Sequence, residues 1–294
     1  MTTFINNTSE NHTDIDLVQS ALAGDRKALE RLVRRHQGFI YNLSLKLVLY
    51  PPDAEDVTQD VLIKVITHLS RFQGQSNFRT WLYRIVMNHF LDMKKRKAEH
   101  VESLSRFAND GEALLAVNAT DEDGLSEEQI AETQVMCTVG MLMCLSREQR
   151  LVYVLGDVFA IDHNTASELL STTPEAYRQQ LTRARKDLYS FINKKCGLVN
   201  PANPCRCSKK TKLWIERGFV AKDTLLFKGQ YTERIRDHVE ANIASGALMV
   251  KDVYADLYQS HPILNAKSMD TLIEKILGNN DLMRLLHLHD EQKQ

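Results

Sequence analysis

The sequence predicts an all-α protein made of several small helical domains. Apolar residues recur at helical spacing along most of the 294 residues, and we find no segment with the alternation of a convincing strand. Prolines and glycines fall between the periodic segments, where they favour breaks. A hydrophobic content of 43% is enough for more than one core. We therefore expect helical domains joined by linkers.

The first predicted domain, residues 1–97, is a four-helix unit. Its third helix carries an apolar stripe that begins at Val57 and recurs every three to five residues. We expect Pro51 and Pro52 to break the chain before that helix, with Asp53 available as its N-cap. The four predicted helices cover 14–23, 25–48, 55–69 and 78–93.

Residues 98–128 are predicted to be a linker. The segment is acidic, has little apolar periodicity and contains Gly111 and Gly124. Such a linker leaves the domains on either side free to move relative to each other.

The second predicted domain, 129–199, ends in a helix-turn-helix. Thr173 as N-cap and Pro174 at the first helical position mark the start of its last helix. A short helix, a tight turn and a helix with a basic outer face predict that the last helix enters the DNA major groove. The predicted helices are 129–143, 147–159, 163–170 and 174–193. The candidate base-contacting and phosphate-contacting residues are Glu175, Arg178, Gln179, Thr182, Arg183 and Lys186.

The remaining segment, 200–294, is predicted to be a third, small helical domain. Pro201 and Pro204 break the chain before it, and mixed-charge helical sequence resumes at 211–290. This extension either adds stability alone or regulates the other domains, and the residues leave both readings open.

Positive charge is concentrated in two blocks, although the formal net charge is only -1. Residues 71–97 hold seven basic residues and one acidic residue, and 178–195 hold six and one. Between them, 101–135 hold nine acidic residues and one arginine. Local basic patches of this kind are typical of nucleic-acid contacts.

Other classes of function find little support in the sequence. The N-terminal MTTFINNTSENHTD lacks the basic start and apolar core of a signal peptide, and no apolar run has the length of a membrane span. We therefore expect a cytoplasmic protein without membrane insertion. The sequence contains no phosphate-cradling glycine loop, HExxH motif or nucleophile elbow, so we do not expect an enzyme.

Two segments carry a resemblance to a known family. DAEDVTQDVLIKVITHLSRFQGQSNFRTWLYRIVMNHFLDMKKRK at 53–97 resembles region two of bacterial sigma factors of the extracytoplasmic-function (ECF) group. LSREQRLVYVLGDVFAIDHNTASELLSTTPEAYRQQLTRARKDLYSF at 145–191 resembles region four of the same group. The group departs from this chain at Tyr177, where a small branched residue is usual, and at Asn164 and Thr165, where apolar residues are common.

The resemblance implies promoter recognition and melting. The protein would bind core RNA polymerase, recognise the minus-thirty-five element with its last helix and capture a flipped base at the minus-ten element. Aromatic rings beside cations, as in RFQGQSNFRTWLYRIVMNHF at 71–90, suit stacking on single-stranded bases. The predicted minus-ten residues are Gln73, Ser76, Asn77, Tyr83, Arg84, Asn88, Lys94, Lys95 and Arg96. Trp81 is assigned either to the core or to DNA, and the basic run from Lys94 either to phosphate contact or to a helix end favoured by its dipole.

The resemblance also implies protein partners. The outer residues of helix 55–69 would contact the clamp helices of the polymerase largest subunit, region four would contact the flap, and an anti-sigma factor is a further candidate partner. The predicted polymerase-binding residues are Asp56, Gln59, Asp60 and Lys64. A stand-alone helix-turn-helix regulator is the alternative function.

Three cysteines lie close together in the sequence at the start of the extension. Cys196, Cys205 and Cys207 either bind zinc or sense oxidation, or they are reduced structural thiols. No other cofactor is expected. A thiol or zinc enzyme built around these residues is a third alternative, which lacks a general acid or base beside them in sequence. Cys137 and Cys144 are expected in the core.

Overall fold

The computed structural model describes residues 8–48, 51–93, 124–197, 200–216, 220 and 270–279. Within these ranges all regular structure is helical, which confirms the predicted all-α class. None of the helices in the described ranges combines the length and the apolar composition needed to cross a membrane.

The chain divides into two compact units. The first unit comprises Met1–Lys94, Ala160–Pro174 and Ile263–Gln294. The second unit comprises Lys95–Phe159 and Glu175–Pro262. The predicted separate domain at 200–294 is not tested by this division and stays a prediction.

The first unit contains six described helices. They are α1 (Thr8–Leu22), α2 (Arg26–Val48), α3 (Pro51–Thr67), α4 (Phe78–Asp92), α7 (His163–Leu169) and α10 (Asp270–Leu277). Helix α2 packs along α3 and also contacts α1 and α4. Its apolar residues recur every three or four positions, so Leu29, Leu32 and Ile40 lie fully buried against these neighbours.

The start of α3 differs from the prediction. Pro51 and Pro52 form its first turn and do not precede it. The first turn of a helix leaves its N–H groups without intrahelical acceptors, so a proline there loses no hydrogen bond. Helix α3 consequently extends to the N-terminal side of the predicted start.

Helix α10, from the extension, packs on α2 and α3. Ile273, Ile276 and Leu277 are buried. The Arg26 guanidinium donates to the Leu277 carbonyl oxygen at 2.9 Å, which satisfies one of the acceptors left open at a helix C-terminus. This described part of the extension is therefore attached to the first unit by apolar contacts and a polar cap.

The second unit contains α5 (Glu127–Met141), α6 (Arg147–Tyr153), α8 (Pro174–Lys195) and α9 (Cys207–Glu216), with Pro174 at the boundary. One turn of π-helix, Val154–Val158, continues α6. Ser146 and Gln149 form a reciprocal capping box at the start of α6, with Gln149 N donating to Ser146 Oγ at 3.2 Å and Ser146 N donating to Gln149 Oε1 at 3.1 Å. The Gln149 amide also donates to Asp187 on α8 at 2.7 Å, so the cap connects α6 to α8.

Candidate nucleic-acid interface

The loop before α4 presents polar groups to solvent. Gln73 and Gln75 are exposed, and the Gln75 amide donates to the Gln73 side-chain oxygen at 3.0 Å. Gly74 between them has φ 71°, a left-handed conformation that favours glycine. Ser76 and Asn77 are half-buried. The loop therefore offers short, adaptable polar side chains at the start of an aromatic helix.

An aromatic cluster supports this loop. The Phe72 ring lies edge-on to Phe78, with centroids 5.1 Å apart, and the Trp81 ring lies 5.6 Å from Phe72 and 5.4 Å from Phe78. The backbone N–H of Phe78 donates to Asn11 Oδ1 on α1 at 3.1 Å. These contacts hold the first turn of α4 in place while Trp81 stays half-buried. Trp81 thus belongs to the rim of the cluster and not to the closed core.

The outward face of α4 carries Trp81, Arg84 and Asn88. Successive residues turn by about 100° in an α-helix, so positions 81, 84 and 88 share one side. Asn88 is exposed, and Arg84 is half-buried because its guanidinium donates to the Glu168 carboxylate of α7 at 2.8 Å. Arg84 is therefore charge-paired in this structure, and contact with a phosphate would replace that pair.

Tyr83 corrects the sequence prediction of an exposed, DNA-facing residue. Its side chain is fully buried, and its ring meets Phe39 of α2 edge-on with centroids 4.8 Å apart. Helix α4 packs against both α2 and α3, so its buried arc is wider than the stripe that predicted it. Burial raises the pKa of the Tyr83 hydroxyl well above its ordinary value. Tyr83 is a core residue.

The outer side of α3 is accessible at all four predicted positions. Asp56 and Asp60 are exposed, and Gln59 and Lys64 are half-buried. Asp60 Oδ2 lies 3.5 Å from Nε2 of His89 on α4. The face is polar and of mixed charge, which suits a protein contact more than a nucleic-acid contact.

The outer face of α8 is exposed at every predicted DNA-contacting position. These residues are Glu175, Arg178, Gln179, Thr182, Arg183 and Lys186. Arg178 Nη2 donates to Glu175 Oε1 at 2.7 Å, and Thr182 Oγ1 donates to the Arg178 carbonyl at 2.9 Å. The face can supply guanidinium, amide, hydroxyl and carboxylate groups to base edges and phosphates.

Tyr177, on the opposite side of α8, is accommodated by the π-helical turn. The ring is fully buried, and its hydroxyl donates to the Val152 carbonyl at 3.1 Å. Gly156 lies directly against it, since an added Cβ there would fall 2.7 Å from the Tyr177 hydroxyl and 2.8 Å from Leu181 Cδ2. The unusual tyrosine is therefore a core residue that occupies the space left by a glycine.

Arg185 is also held by the π-helical turn. Its Nε donates to the two carboxylate oxygens of Asp157 at 3.1 and 2.9 Å, and its Nη2 contacts the same carboxylate. This hydrogen bonding raises the pKa of the Arg185 guanidinium above its ordinary value. Asp157 is buried, so the pair fixes one side of α8 to the turn.

Helix α7, the first helix of the predicted helix-turn-helix, begins with a side-chain cap. Asp162 Oδ1 accepts from the backbone N–H groups of Asn164 and Thr165, each at 3.0 Å. A hydrogen bond from the Thr165 side chain, together with these two weaker backbone contributions, lowers the pKa of the Asp162 carboxyl. Asn164 is exposed and Thr165 half-buried, which explains why polar residues are tolerated there.

Comparison with known proteins identifies the family. The model of the family Sigma-70 region 2 matches residues 32–100, the segment that holds α3, the polar loop and α4. The ECF RNA polymerase sigma-E factor of Haemophilus influenzae is 28% identical over 190 residues, which cover 63% of this chain and 97% of that protein. The ECF RNA polymerase sigma-E factor of Escherichia coli K12 is 29% identical over 193 residues, covering 60% and 93%.

The chain belongs to the ECF group of sigma factors. RNA polymerase sigma factor NccH of Alcaligenes xylosoxydans xylosoxydans is 26% identical to this sigma factor over 180 residues, covering 61% of this chain and 94% of that protein. The solved structure of CnrH in complex with the cytosolic domain of CnrY aligns with a TM-score of 0.42 at 23% identity, covering 62% of this chain and 97% of that chain. In each of these alignments, more than a third of this sigma factor lies outside the matched part.

The structure groups the candidate sites of this sigma factor on separate helices. The minus-ten candidates Gln73, Ser76, Asn77, Arg84 and Asn88 lie on the loop and on one side of α4. Trp81, which the sequence left open between the core and DNA, is half-buried and lies on the same side of α4. Lys94, Lys95 and Arg96 lie outside the described residues, so their predicted phosphate contacts stay a prediction.

Cys196, Cys205 and Cys207 are half-buried and have free thiols. Across the described ranges, no three cysteine, histidine, aspartate or glutamate side chains are arranged as the ligands of a bound metal. The predicted zinc site is therefore not preformed in this arrangement of side chains.

Proposed function

We propose that this sigma factor directs core RNA polymerase to promoters, using the polar loop and α4 to hold the melted minus-ten element and α8 to recognise the minus-thirty-five element. The match of residues 32–100 to sigma region two is the observation that carries the proposal, because the loop and α4 both lie inside it. The activity is binding and strand separation, without a catalysed reaction. It is performed in the cytoplasm, where the polymerase is.

Promoter melting requires a rigid surface beside adaptable polar groups. The rings of Phe72, Phe78 and Trp81 form the rigid part, and the Gln73–Asn77 loop forms the adaptable part. Stacking a base on an aromatic ring contributes roughly 1–3 kcal/mol and needs no particular base, because every base has a π face. Amide and hydroxyl groups of the loop then hydrogen-bond the edge of a flipped base.

Polymerase binding is assigned to the outer side of α3. Asp56, Gln59, Asp60 and Lys64 line this accessible side, and the opposite side of the helix, including Val57 and Val61, is buried in the first unit. The same helix therefore supports the α4 platform and presents a face for the clamp helices. The flap of the polymerase is the proposed partner of the second unit, and an anti-sigma factor stays a prediction.

The proposed separation of roles predicts a specific result for the loop. Replacing Gln73, Ser76 and Asn77 together by alanine is expected to weaken open-complex formation while leaving polymerase affinity unchanged, because polymerase binding is proposed on the outer side of α3 and not on the loop. Permanganate reactivity of the minus-ten thymines measures the first quantity, and co-purification with core polymerase in the absence of DNA measures the second.

The control for this experiment is Gln59→Ala on α3, which should show the reverse pattern. Equal losses in both assays for the loop variant would mean that the loop is structural. A wild-type chain that binds promoter DNA but never associates with core polymerase would instead favour the stand-alone helix-turn-helix regulator.

We also propose that the extension regulates polymerase binding. The contact of α10 with α2 and α3 supports this proposal, since α3 also carries the candidate polymerase face. A coupling free energy of about 1–3 kcal/mol between the extension and the polymerase would change affinity by roughly 5- to 150-fold. The alternative is that α10 contributes stability only.

Removing the extension distinguishes regulation from stability. The variant Ile273→Asp places a charge at a buried position of α10. We expect this variant, and a chain that ends at Asn200, to differ from wild type in polymerase affinity by roughly 5- to 150-fold. Glu274→Gln, on the exposed side of α10, is the matched control and should leave affinity unchanged. Identical affinities for all of these chains would leave the extension a passive support.

The proposed function requires no cofactor. The zinc site predicted at Cys196, Cys205 and Cys207 is a separate proposal, because none of these residues lies on α3, α4 or the exposed face of α8. Metal analysis of the purified chain tests the zinc site. A chelator should leave minus-ten melting unchanged if the extension does not transmit the metal-bound state to the first unit.

A further inference from the structure

The start of the extension folds back onto α5. The backbone N–H of Asn200 donates to the Cys196 carbonyl at 3.0 Å, and the Asn203 side-chain amide donates to the same carbonyl at 3.0 Å. Arg206 donates to the carbonyl oxygens of Asn203 and Cys205 at 2.6 and 2.8 Å. These bonds return the chain after α8 to the position where α9 begins.

Close backbone contact brings Cys205 beside the end of α8. An added Cβ on Gly197 would collide with the Cys205 carbonyl oxygen, so the two backbone segments touch where only a glycine fits. The Gly197 N–H hydrogen-bonds the Cys205 thiol. Cys196 and Cys205 are therefore neighbours in space, although eight residues separate them in sequence.

A fourth cysteine, Cys137, reaches the same place from α5. Helix α9 packs against α5, and both Cys137 and Cys205 contact the small core formed by Leu213, Trp214 and Val220. Gln134, one turn before Cys137, hydrogen-bonds the Cys207 thiol. Cys137 and Cys205 therefore border the same small core, beside the segment that carries Cys196 and Cys207.

A buried cation accompanies the four thiols. Lys210 is 3% exposed, and its ammonium lies over the Trp214 ring at 4.8 Å from the centroid. Its charge lowers the pKa of the Cys137 and Cys205 thiols, while burial, the larger effect, raises both. Four thiolates around a divalent metal leave two negative charges, and a buried ammonium offsets one of them.

We propose that Cys137, Cys196, Cys205 and Cys207 together bind one zinc ion, with Cys137 as the ligand that connects α5 to the extension. Zinc prefers four thiolates in a tetrahedron with Zn–S distances of about 2.3 Å. Because no three of these side chains are arranged as metal ligands in the structure, binding requires the thiols to turn toward a common centre.

A four-cysteine site extends the three-cysteine zinc proposal, and zinc binding there is independent of promoter recognition. Failure of the promoter experiments leaves it intact, and the absence of zinc leaves the sigma activity intact. Its consequence is that metal binding would cross-link α5 with the chain that follows α8, two segments separated by about sixty residues of sequence.

The test uses the full-length chain, purified without chelator. We expect one zinc per chain, and after exchange with Co²⁺ we expect the intense visible and near-ultraviolet absorption of tetrahedral thiolate coordination. Cys137→Ser should lower zinc affinity at least as much as Cys205→Ser does. We expect a loss of about 10- to 100-fold or more, because even residues that only hydrogen-bond the metal ligands have effects of this size when they are replaced. Cys144→Ser removes the one other cysteine and should leave zinc affinity unchanged.

Thiol counting on the wild-type chain protects the test against a variant that fails to fold. With zinc bound, we expect Cys144 to be the one thiol that reacts with an aromatic disulfide reagent. Removal of the zinc by a chelator should make the other four thiols reactive as well. Zinc retained at wild-type affinity by Cys137→Ser would overturn the role of Cys137. The site would be overturned if the native chain held no metal and all five thiols reacted. It would also be overturned if fewer than five thiols reacted after denaturation with chelator, because that result indicates a disulfide.

Discussion

Replacing Arg185 by alanine is expected to destabilise the protein by about 3 kcal/mol, near the lower end of the cost of breaking a buried ion pair. The Asp157 carboxylate has only 6% of its side chain exposed and would lose two Nε hydrogen bonds and its countercharge. Arg185 itself is 27% exposed, which places the expected loss at the low end. Chemical denaturation followed by circular dichroism measures the effect.

The neighbouring Arg183 supplies the control for this measurement. It is exposed on the same helix, so Arg183→Ala should change the free energy of unfolding by no more than about 0.5 kcal/mol. Arg185→Lys keeps the charge but not the planar fork and should fall between the two. If Arg185→Ala and Arg183→Ala unfold at the same denaturant concentration, the Asp157 pair does not stabilise α8.

Arg178→Ala is expected to weaken binding to the cognate minus-thirty-five element by about 1–3 kcal/mol, the value of a bidentate base contact. Arg178 lies in the first turns of α8, where recognition helices contact base edges. In the free protein its guanidinium is paired with Glu175, and both side chains are exposed, so breaking that pair costs at most about 1 kcal/mol. Fluorescence anisotropy on cognate and scrambled duplexes measures the difference.

Lys186→Ala, further along the same face, should behave differently. As a phosphate contact it should weaken all duplexes alike and reduce the salt dependence of binding by about one unit of slope. The base-contacting role of Arg178 is wrong if Arg178→Ala weakens cognate and scrambled DNA by the same factor.

The sequence was sufficient to predict most helices, because their burial follows from one periodic stripe. Helix α2 begins one residue from its predicted start and ends at its predicted end, and α8 begins at Pro174 as the Thr173-Pro174 pair indicates. The pattern SEEQ at 126–129 would also have located the start of α5, since Ser126 and Gln129 form a capping box that the prediction overlooked.

The features that the sequence alone could not supply depend on contacts between helices. Tyr83 looked exposed because a single stripe assumes one buried side, whereas α4 packs against α2 and α3 and also contacts α1 and α7. The stripe left Trp81 open between the core and DNA, because its half-buried place beside Phe72 and Phe78 depends on the loop that precedes α4. Cys137 was expected in the core and does pack against the small core of Leu213, Trp214 and Val220. Its proximity to Cys205 requires the chain after α8 to fold back, and no local pattern specifies that return.

The contact between Gly156 and Tyr177 has a consequence for exchanging promoter specificity between sigma factors. A recognition helix grafted from a relative with a small residue at position 177 would leave a cavity above Gly156. Conversely, when α8 of this chain is placed in a host with a side chain at position 156, that side chain would clash with the Tyr177 hydroxyl. The two residues form one transferable module, although twenty residues separate them. A chimera that carries the π-helical turn together with α8 should fold and recognise its new element, and one that carries α8 alone should not.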